Sequence, residues 1–197
     1  MPARIGPMDE TPQEHARRAG LADALRQEFE ATLNARIDRY LEARHHPVVP
    51  NTTFAAASSE CVDLFRDGHF YGCISLCQAV GEALVRHMCN CNSWRPAADF
   101  EENVRTLRER GLISADFQSL CDRLWQKRHD YHHLNPNVAI ERAELEALGL
   151  ERIRTLAEME KWVFEYTVHE GKLRPKRNQY WTQLEGGKLE VFLRLSP

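Results

Sequence analysis

The sequence lacks the long apolar runs that mark membrane-spanning helices and secretory signals. Residues 1–7 contain no apolar signal core, and no later run is long enough to cross a bilayer. The formal net charge of −3 over 197 residues also leaves no global basic field that would attract nucleic acid. We therefore expect a cytoplasmic protein with no membrane contact, in which any contact with RNA uses a local patch of the surface.

Sequence signals for metal or phosphate chemistry are also scarce. No cluster of aspartates and glutamates suits a two-metal site, and the chain has no glycine-rich phosphate loop, internal repeat or low-complexity run. The spacing His87-x-Cys89-x-Cys91 has the density of a metal site, but it lacks paired Cys-x-x-Cys spacing and would need a fourth ligand from far away. We expect neither a metal nor a cofactor.

The six cysteines are expected to stay reduced, because the chain carries no secretory signal. Cys73 and Cys77 share the apolar row of one predicted helix, and Cys121 lies on the row of another. A cysteine in such a position behaves as a small apolar residue. These three are interpreted as buried structural thiols.

Helical periodicity dominates the chain and predicts a mainly α-helical bundle. Thr11, Pro12 and Glu14 form a capping signal for a long N-terminal helix that should end near residues 45–47. Apolar stripes then predict two helices that pack together, over residues 52–66 and 69–88. Later helices are predicted near 100–107, from 114 to the motif described below, over 141–148, and from Gly149 to Gly171. No strand is expected between residues 12 and 168.

The C-terminal tail differs from the rest of the chain. Residues 172–177 are basic, and Tyr180 to Leu195 alternates like a β-hairpin about Gly186-Gly187, with Trp181 opposite Phe192. Two strands alone are marginally stable, so the hairpin must dock on the bundle or pair with another chain. The predicted organisation is an N-terminal extension (1–50), a helical bundle (51–170), and a basic linker with a hairpin tail (171–197).

The richest group of chemically capable side chains lies where the helix that begins at Ser114 should end. Arg128 continues an apolar row through Cys121 and Leu124, and an unpartnered buried guanidinium is costly, so this row suggests an interface or a cleft. Three histidines follow before Asn135-Pro136 stops the helix. A permanent cation beside groups that titrate near neutral pH suits phosphodiester chemistry.

The spacing Arg128-His129-x-x-x-His133 resembles the Arg-polar-x-x-x-His motif of the HEPN superfamily, and the resemblance covers about residues 52–169. It implies a HEPN-like helical bundle. Many family members are metal-independent endoribonucleases of toxin and antiviral-defence systems, whereas others bind nucleotides or partner proteins without cutting. The resemblance further implies a homodimer whose two motifs line a shared cleft, and an antitoxin or regulatory partner protein.

In the ribonuclease interpretation, Arg128 holds the phosphate, His133 transfers the proton, and His129 orients the others. Five residues along a regular helix place Arg128 and His133 roughly 140° apart. His132, four residues from Arg128, is better placed in an undistorted helix, so both histidines remain candidates for proton transfer. The remaining candidates are Arg123, Lys127 and Tyr131 for substrate binding, and Glu82 as an orienting catalytic group.

A purely structural interpretation accounts for the same residues. Glu82 forms a helical i,i+4 pair with Arg86 on a solvated edge. Arg128 pairs with Asp122, Asp130 or Glu82, and the histidines are ordinary polar residues at the end of a helix. The sequence leaves this interpretation open beside an endoribonuclease and a non-catalytic binding module.

Overall fold

The computed structural model describes residues 11–132, 135–136, 138 and 141–194. Its described part is mainly helical, with a long N-terminal helix and a small β-hairpin towards the C-terminus, which confirms the predicted fold class. None of its helices is long and apolar enough to cross a membrane. The helices are α1 (Pro12–Glu42), α2 (Ala55–Arg66), α3 (Phe70–Cys91), α4 (Phe100–Glu109), α5 (Ala115–Trp125), α6 (Arg128–His132) and α7 (Arg142–Val163); the strands are β1 (Val48–Pro50), β2 (Tyr166–His169), β3 (Lys172–Pro175) and β4 (Val191–Leu193).

The start of α1 has the local geometry that the sequence predicts. The Glu14 amide donates to Thr11 Oγ1 at 3.3 Å, and the Thr11 amide donates to Glu14 Oε2 at 2.8 Å. This capping box satisfies two amides that would otherwise lack partners at the helix start. The chain divides into two compact units after Asp38, and residues 12–38 of the first unit are all helical.

In the second unit, α3 lies at the centre and packs against α2, α4, α5, α6 and α7. Its buried face includes Ile74, Leu84 and Met88, as its apolar stripe predicts. The predicted break at Gly149 is wrong, because α7 continues through it. A Cβ at Gly149 would lie 3.3 Å from Phe65 Cδ2, so glycine serves close helix packing here.

The predicted end of the last helix at Gly171 is also wrong. The helix α7 ends at Val163, and residues 166–175 form the antiparallel β2–β3 hairpin. Glu170 and Gly171 both have positive φ values, 51° and 70°, which turn the chain between the two strands. Together with β1, this hairpin shows that the expectation of no strand between residues 12 and 168 was wrong.

The tail beyond Tyr180 forms a turn, but its pairing differs from the prediction. Gln183 pairs with Leu189 across the turn, which shifts the expected register by one residue. Phe192 lies opposite Val49 of β1 rather than opposite Trp181. Trp181 is buried, and the centre of its ring lies 5.9 Å from the centre of the Phe164 ring. The tail thus docks on the bundle, one of the two expected outcomes, because β1 supplies a strand partner and α7 ends at an aromatic cluster.

The cysteines predicted to be structural are buried. Cys73, Cys77 and Cys121 have no exposed surface, and hydrogen bonds with Cys61 and Cys73, together with burial, raise the pKa of the Cys77 thiol. A thiol held neutral in this way is a poor nucleophile and a poor metal ligand. These cysteines therefore serve packing.

The His87 and Cys91 side chains contact each other, whereas Cys89 contacts a different residue. His87 Nε2 lies 3.2 Å from the Tyr180 carbonyl and 3.5 Å from Cys91 Sγ, whereas Cys89 Sγ lies 4.0 Å from Asn103 Oδ1. Burial lowers the pKa of His87, which favours its neutral form. In the part of the chain that the structure describes, no group of three His, Cys, Asp or Glu side chains is arranged to hold a metal ion.

A buried ion pair ties the end of the chain to the bundle. Arg194 donates to both carboxylate oxygens of Glu160, at 2.5 and 3.0 Å, and Ser58 Oγ donates to Glu160 Oε1 at 2.7 Å. Glu160 is fully buried and Arg194 is 5% exposed. A buried carboxylate needs such a set of donors, because desolvation otherwise outweighs its favourable interactions.

We expect Glu160→Ala to lower the free energy of unfolding by about 3–5 kcal/mol, because it leaves the Arg194 guanidinium buried without its carboxylate. Urea denaturation would measure the loss. The double variant Glu160→Leu/Arg194→Met should recover much of it, and Lys176→Ala, which removes an exposed charge, should leave the midpoint unchanged. Equal losses in the single and double variants would contradict this account.

Candidate functional site

The segment that carries the motif is not one helix. Ser114 caps α5 by accepting from the Phe117 amide at 3.1 Å, and the buried row of Phe117, Cys121 and Leu124 follows as predicted. The helix then ends at Trp125. Gln126 is extended, with ψ of 141°, and Lys127 has a left-handed φ of 57°. The expectation that Arg128 continues the apolar row is therefore wrong: Arg128 begins the separate helix α6.

Two buried side chains hold the end of α5. Arg152 of α7 donates to the carbonyl of Arg123 and, at 3.0 Å, to that of Gln126. Gln78 of α3 donates to the carbonyls of Leu124 and Gln126 at 3.1 and 3.3 Å. The last carbonyls of a helix have no partners within it, and a cation is favoured at that end of the helix dipole. These donors stabilise the turn that places Lys127 and Arg128.

Arg128 rests on an aromatic stack. Its guanidinium lies 4.6 Å from the centre of the Trp125 ring, and Trp125 stacks on Phe100 with ring centres 4.0 Å apart. A guanidinium over an indole face is attracted by the ring quadrupole. Arg128 forms no ion pair with a carboxylate among the described residues, so the expected alternative of a pair with Asp122, Asp130 or Glu82 is not found there. Its charge remains available for an anion.

The stack forms part of an open cleft of about 640 Å³, built by the first turn of α4, the end of α5 and the start of α6. The charges in its wall are mixed. Lys127, Arg128 and the exposed His129 face this space together with three carboxylates. The described residues of the wall are Phe100, Glu101, Asp122, Trp125, Gln126, Lys127, Arg128, His129 and Asp130.

Asp130 has a local role within this wall. Its Oδ1 accepts from Asn135 Nδ2 at 3.0 Å, and its carbonyl accepts from the Asn135 amide at 3.0 Å. This pair of hydrogen bonds closes the chain back on α6 after His132.

The other predicted motif residues lie in different surroundings. His132 is exposed near the end of α6, and His133 lies outside the described residues. Arg123 is exposed, lies 3.5 Å from Glu158, and does not line the cleft. Tyr131 is buried with its ring 5.9 Å from that of Tyr71, and burial raises its pKa.

Glu82 is part of the helical pair that the sequence predicts. Its Oε1 accepts from Arg86 Nη2 at 2.9 Å and from Arg86 Nε at 3.0 Å, and Arg86 also donates to the Ala98 carbonyl. Glu82 is not among the described residues of the cleft wall. Its partner in the structure is Arg86 rather than a motif residue.

Sequence reasoning missed the residues that support the cleft. Phe100 and Glu101 come from α4, a helix that carries no motif, and their proximity to Trp125 depends on packing alone. Arg152 gave a usable signal, since it lies at helical spacing from the buried apolar residues Leu145, Leu156 and Met159. A charged residue on such a row requires a buried partner, and here the partners are the carbonyls at the end of α5.

We expect Arg152→Met to lower the free energy of unfolding by about 1–3 kcal/mol, because it removes the side-chain donor of the Arg123 carbonyl and leaves the Gln126 carbonyl with Gln78 alone. Urea denaturation would measure this loss, and the Trp125 fluorescence should shift as the turn relaxes. The matched control is Arg154→Met, which removes an exposed arginine from the same helix. A similar loss in both variants would show that the cap contributes nothing specific.

Comparisons with known proteins gave no relative from which a function can be transferred. No family model matches the chain, and no curated protein and no solved structure matches it either. The cleft must therefore be interpreted from its own residues and geometry, and the resemblance to the HEPN motif stays a prediction.

Proposed function

We propose that the protein is a metal-independent endoribonuclease of HEPN type that acts as a toxin or antiviral-defence effector in the cytoplasm, with its active site at the Arg128 cleft. The observation that supports this most directly is Arg128 itself. Its guanidinium has no carboxylate partner among the described residues, rests on Trp125, and opens into a cleft beside His129. A forked cation next to imidazoles suits the phosphate of an RNA backbone.

The chemistry follows from what the motif supplies. Cleavage requires a base to take the proton of the RNA 2′-hydroxyl, donors that stabilise the charged phosphorane, and an acid that protonates the leaving 5′-oxygen. Arg128 donates to the phosphate oxygens, and His133 or His132 transfers the proton. His129, in the cleft wall, orients these groups, and Lys127 attracts the backbone. The products are a 2′,3′-cyclic phosphate and a 5′-hydroxyl.

The break before α6 changes the geometry on which this assignment rests. Because Arg128 is the first residue of a five-residue helix, its direction is set by the Gln126–Lys127 turn and by Trp125. Within α6, Arg128 and His132 lie four residues apart and therefore on one face of the helix, whereas His133 lies outside the described residues. His132 and His133 both remain candidates for proton transfer.

A non-catalytic binding module is the second candidate, and one observation favours it. Glu101, Asp122 and Asp130 share the cleft wall with Lys127 and Arg128. These carboxylates repel a polyanion, so this wall attracts an RNA backbone less than a purely basic wall would. In this second proposal the same surface binds a nucleotide or a partner protein without cutting RNA.

We expect purified wild-type protein to cleave single-stranded RNA in the presence of EDTA and to leave a substrate with 2′-deoxy sugars intact. Arg128→Ala should reduce the rate about 10²–10³-fold, as the loss of an oxyanion donor does. His133→Ala and His132→Ala should be compared, and the proton-transfer residue should lose about 10²–10⁴-fold. Gel analysis of end-labelled RNA and its termini provides the measurement.

The matched control is Arg105→Ala, which removes an exposed arginine from α4 outside the cleft wall. It should cleave at the wild-type rate, and all variants should keep the wild-type circular dichroism. Cleavage that requires magnesium, or that persists in both Arg128→Ala and His133→Ala, would place the chemistry elsewhere. Binding of RNA or nucleotide that depends on Arg128, with no cutting of any RNA, would favour the binding module.

We further propose that the active form is a two-fold dimer in which the motif segments of two protomers line a shared cleft. Light scattering coupled to size exclusion at micromolar concentration should then give twice the chain mass of 22.8 kDa. Mixing Arg128→Ala with His133→Ala protein should restore part of the activity if each protomer supplies one half of a site. A monomer with full activity would contradict the shared cleft.

A further inference from the structure

A second groove lies between β3 and the two-stranded β1–β4 sheet. It has a volume of about 690 Å³, and the turn formed by Gly186 and Gly187 closes one part of it. Both glycines have positive φ values, 77° and 74°, so the turn needs residues without a Cβ. The described residues of this groove and those of the Arg128 cleft wall are different.

The groove contains cations whose charge is not neutralised. Lys172, Arg174 and Lys188 line it, and none of the three forms an ion pair with a described carboxylate. The next cations along the chain differ, because Lys176 and Arg177 both pair with Glu165, at 3.0 and 3.2 Å. No carboxylate belongs to the described wall of the groove. This surface therefore complements an anionic partner.

Apolar side chains form the other part of the wall. In the β1–β4 sheet, Val48 lies opposite Leu193 and Pro50 opposite Val191. Side chains alternate along a strand, so Val49 and Phe192 face the bundle while Val191 and Leu193 face outward. Val191 is 38% exposed and Leu193 is 59% exposed, and both line the groove. An exposed aliphatic row beside unpaired cations is typical of an interaction surface.

The strand β3, which borders the groove, also presents an edge to which a further strand can pair. Within the described residues each sheet has only two strands, so β3 pairs with β2 along one edge and has no ladder partner along the other. An extended peptide can add to such an edge through main-chain hydrogen bonds, while pockets for alternate side chains give specificity. Lys172 and Arg174 would then face acidic side chains of that peptide.

We propose that this groove binds an extended acidic peptide segment of a partner protein, with glutamate or aspartate side chains at Lys172, Arg174 and Lys188 and aliphatic side chains on Val191 and Leu193. A single RNA strand fits the wall less well, because none of the described residues of the groove is an aromatic that could stack a base. The proposal does not depend on the chemistry at the Arg128 cleft, and its test is separate from the test of that chemistry.

The test uses the full chain and a fluorescein-labelled peptide of about six residues, the usual length of a strand, in which glutamate alternates with valine. Fluorescence anisotropy should show saturable binding that weakens as salt is added. A peptide with lysine in place of glutamate should not bind. The variant Lys172→Gln/Arg174→Gln should raise the Kd at least tenfold, and Leu193→Asn should also raise it.

The matched control is Lys176→Gln, which removes a cation of the same segment that does not line the groove, and its Kd should stay within twofold of wild type. All these positions are exposed, so each variant should keep the wild-type melting temperature. The absence of saturable peptide binding would overturn the proposal, and so would binding that Lys172→Gln/Arg174→Gln leaves unchanged. An oligouridylate that binds in place of the peptide, and is lost in the same double variant, would overturn it in favour of a nucleic-acid surface.

Discussion

The end of α5 depends on hydrogen bonds from two buried side chains that belong to other helices. Arg152 and Gln78 satisfy the carbonyls of Arg123, Leu124 and Gln126, which the helix itself cannot satisfy. Because the helix stops there, Lys127 adopts a left-handed conformation and Arg128 starts a new direction. The cleft, the exposure of His129 and the burial of Tyr131 all follow from that turn.

The aromatic stack beneath Arg128 affects the position of the guanidinium but not its charge. Trp125 and Phe100 support the guanidinium from below without neutralising it, whereas a carboxylate partner would have removed its attraction for phosphate. The described wall of the cleft holds three carboxylates beside the two permanent cations, which limits the net positive charge there. In the proposed function, the balance between catalysis and simple binding would depend on how an incoming anion competes with those carboxylates.

The Arg128 cleft and the groove beside β3 differ in the side chains that accompany their cations. At the Arg128 cleft, cations and carboxylates share one wall, and aromatic rings lie close by. At the groove beside β3, cations stand next to aliphatic side chains with no carboxylate in the described wall. An anion with a planar base fits the first surface, and an anion carried on an extended chain with aliphatic neighbours fits the second.

Features encoded by neighbouring residues were predictable from the sequence. The capping box of Thr11 and Glu14, the apolar stripe of α3 and the Glu82–Arg86 pair each involve residues three or four apart, so the geometry of a helix fixes them. The mainly helical fold class follows from the same periodicity. The neighbours of Arg128 in the sequence suggested a cleft at this position, but the residues that surround Arg128 in the fold were not predictable from them.

Features that join distant segments were decided by the tertiary structure. The end of α5 at Trp125 depends on Arg152 and Gln78, and the pairing of Phe192 with Val49 depends on a strand more than a hundred residues earlier. The periodicity of apolar residues shows which face of an element is buried, but it gives no information about hydrogen bonds from other elements. By itself the sequence therefore determined the helices and their buried faces, whereas the packing of α3, α7 and β1 decided where those helices end and what surrounds the motif, because only packing brings the required donors and strand edges together.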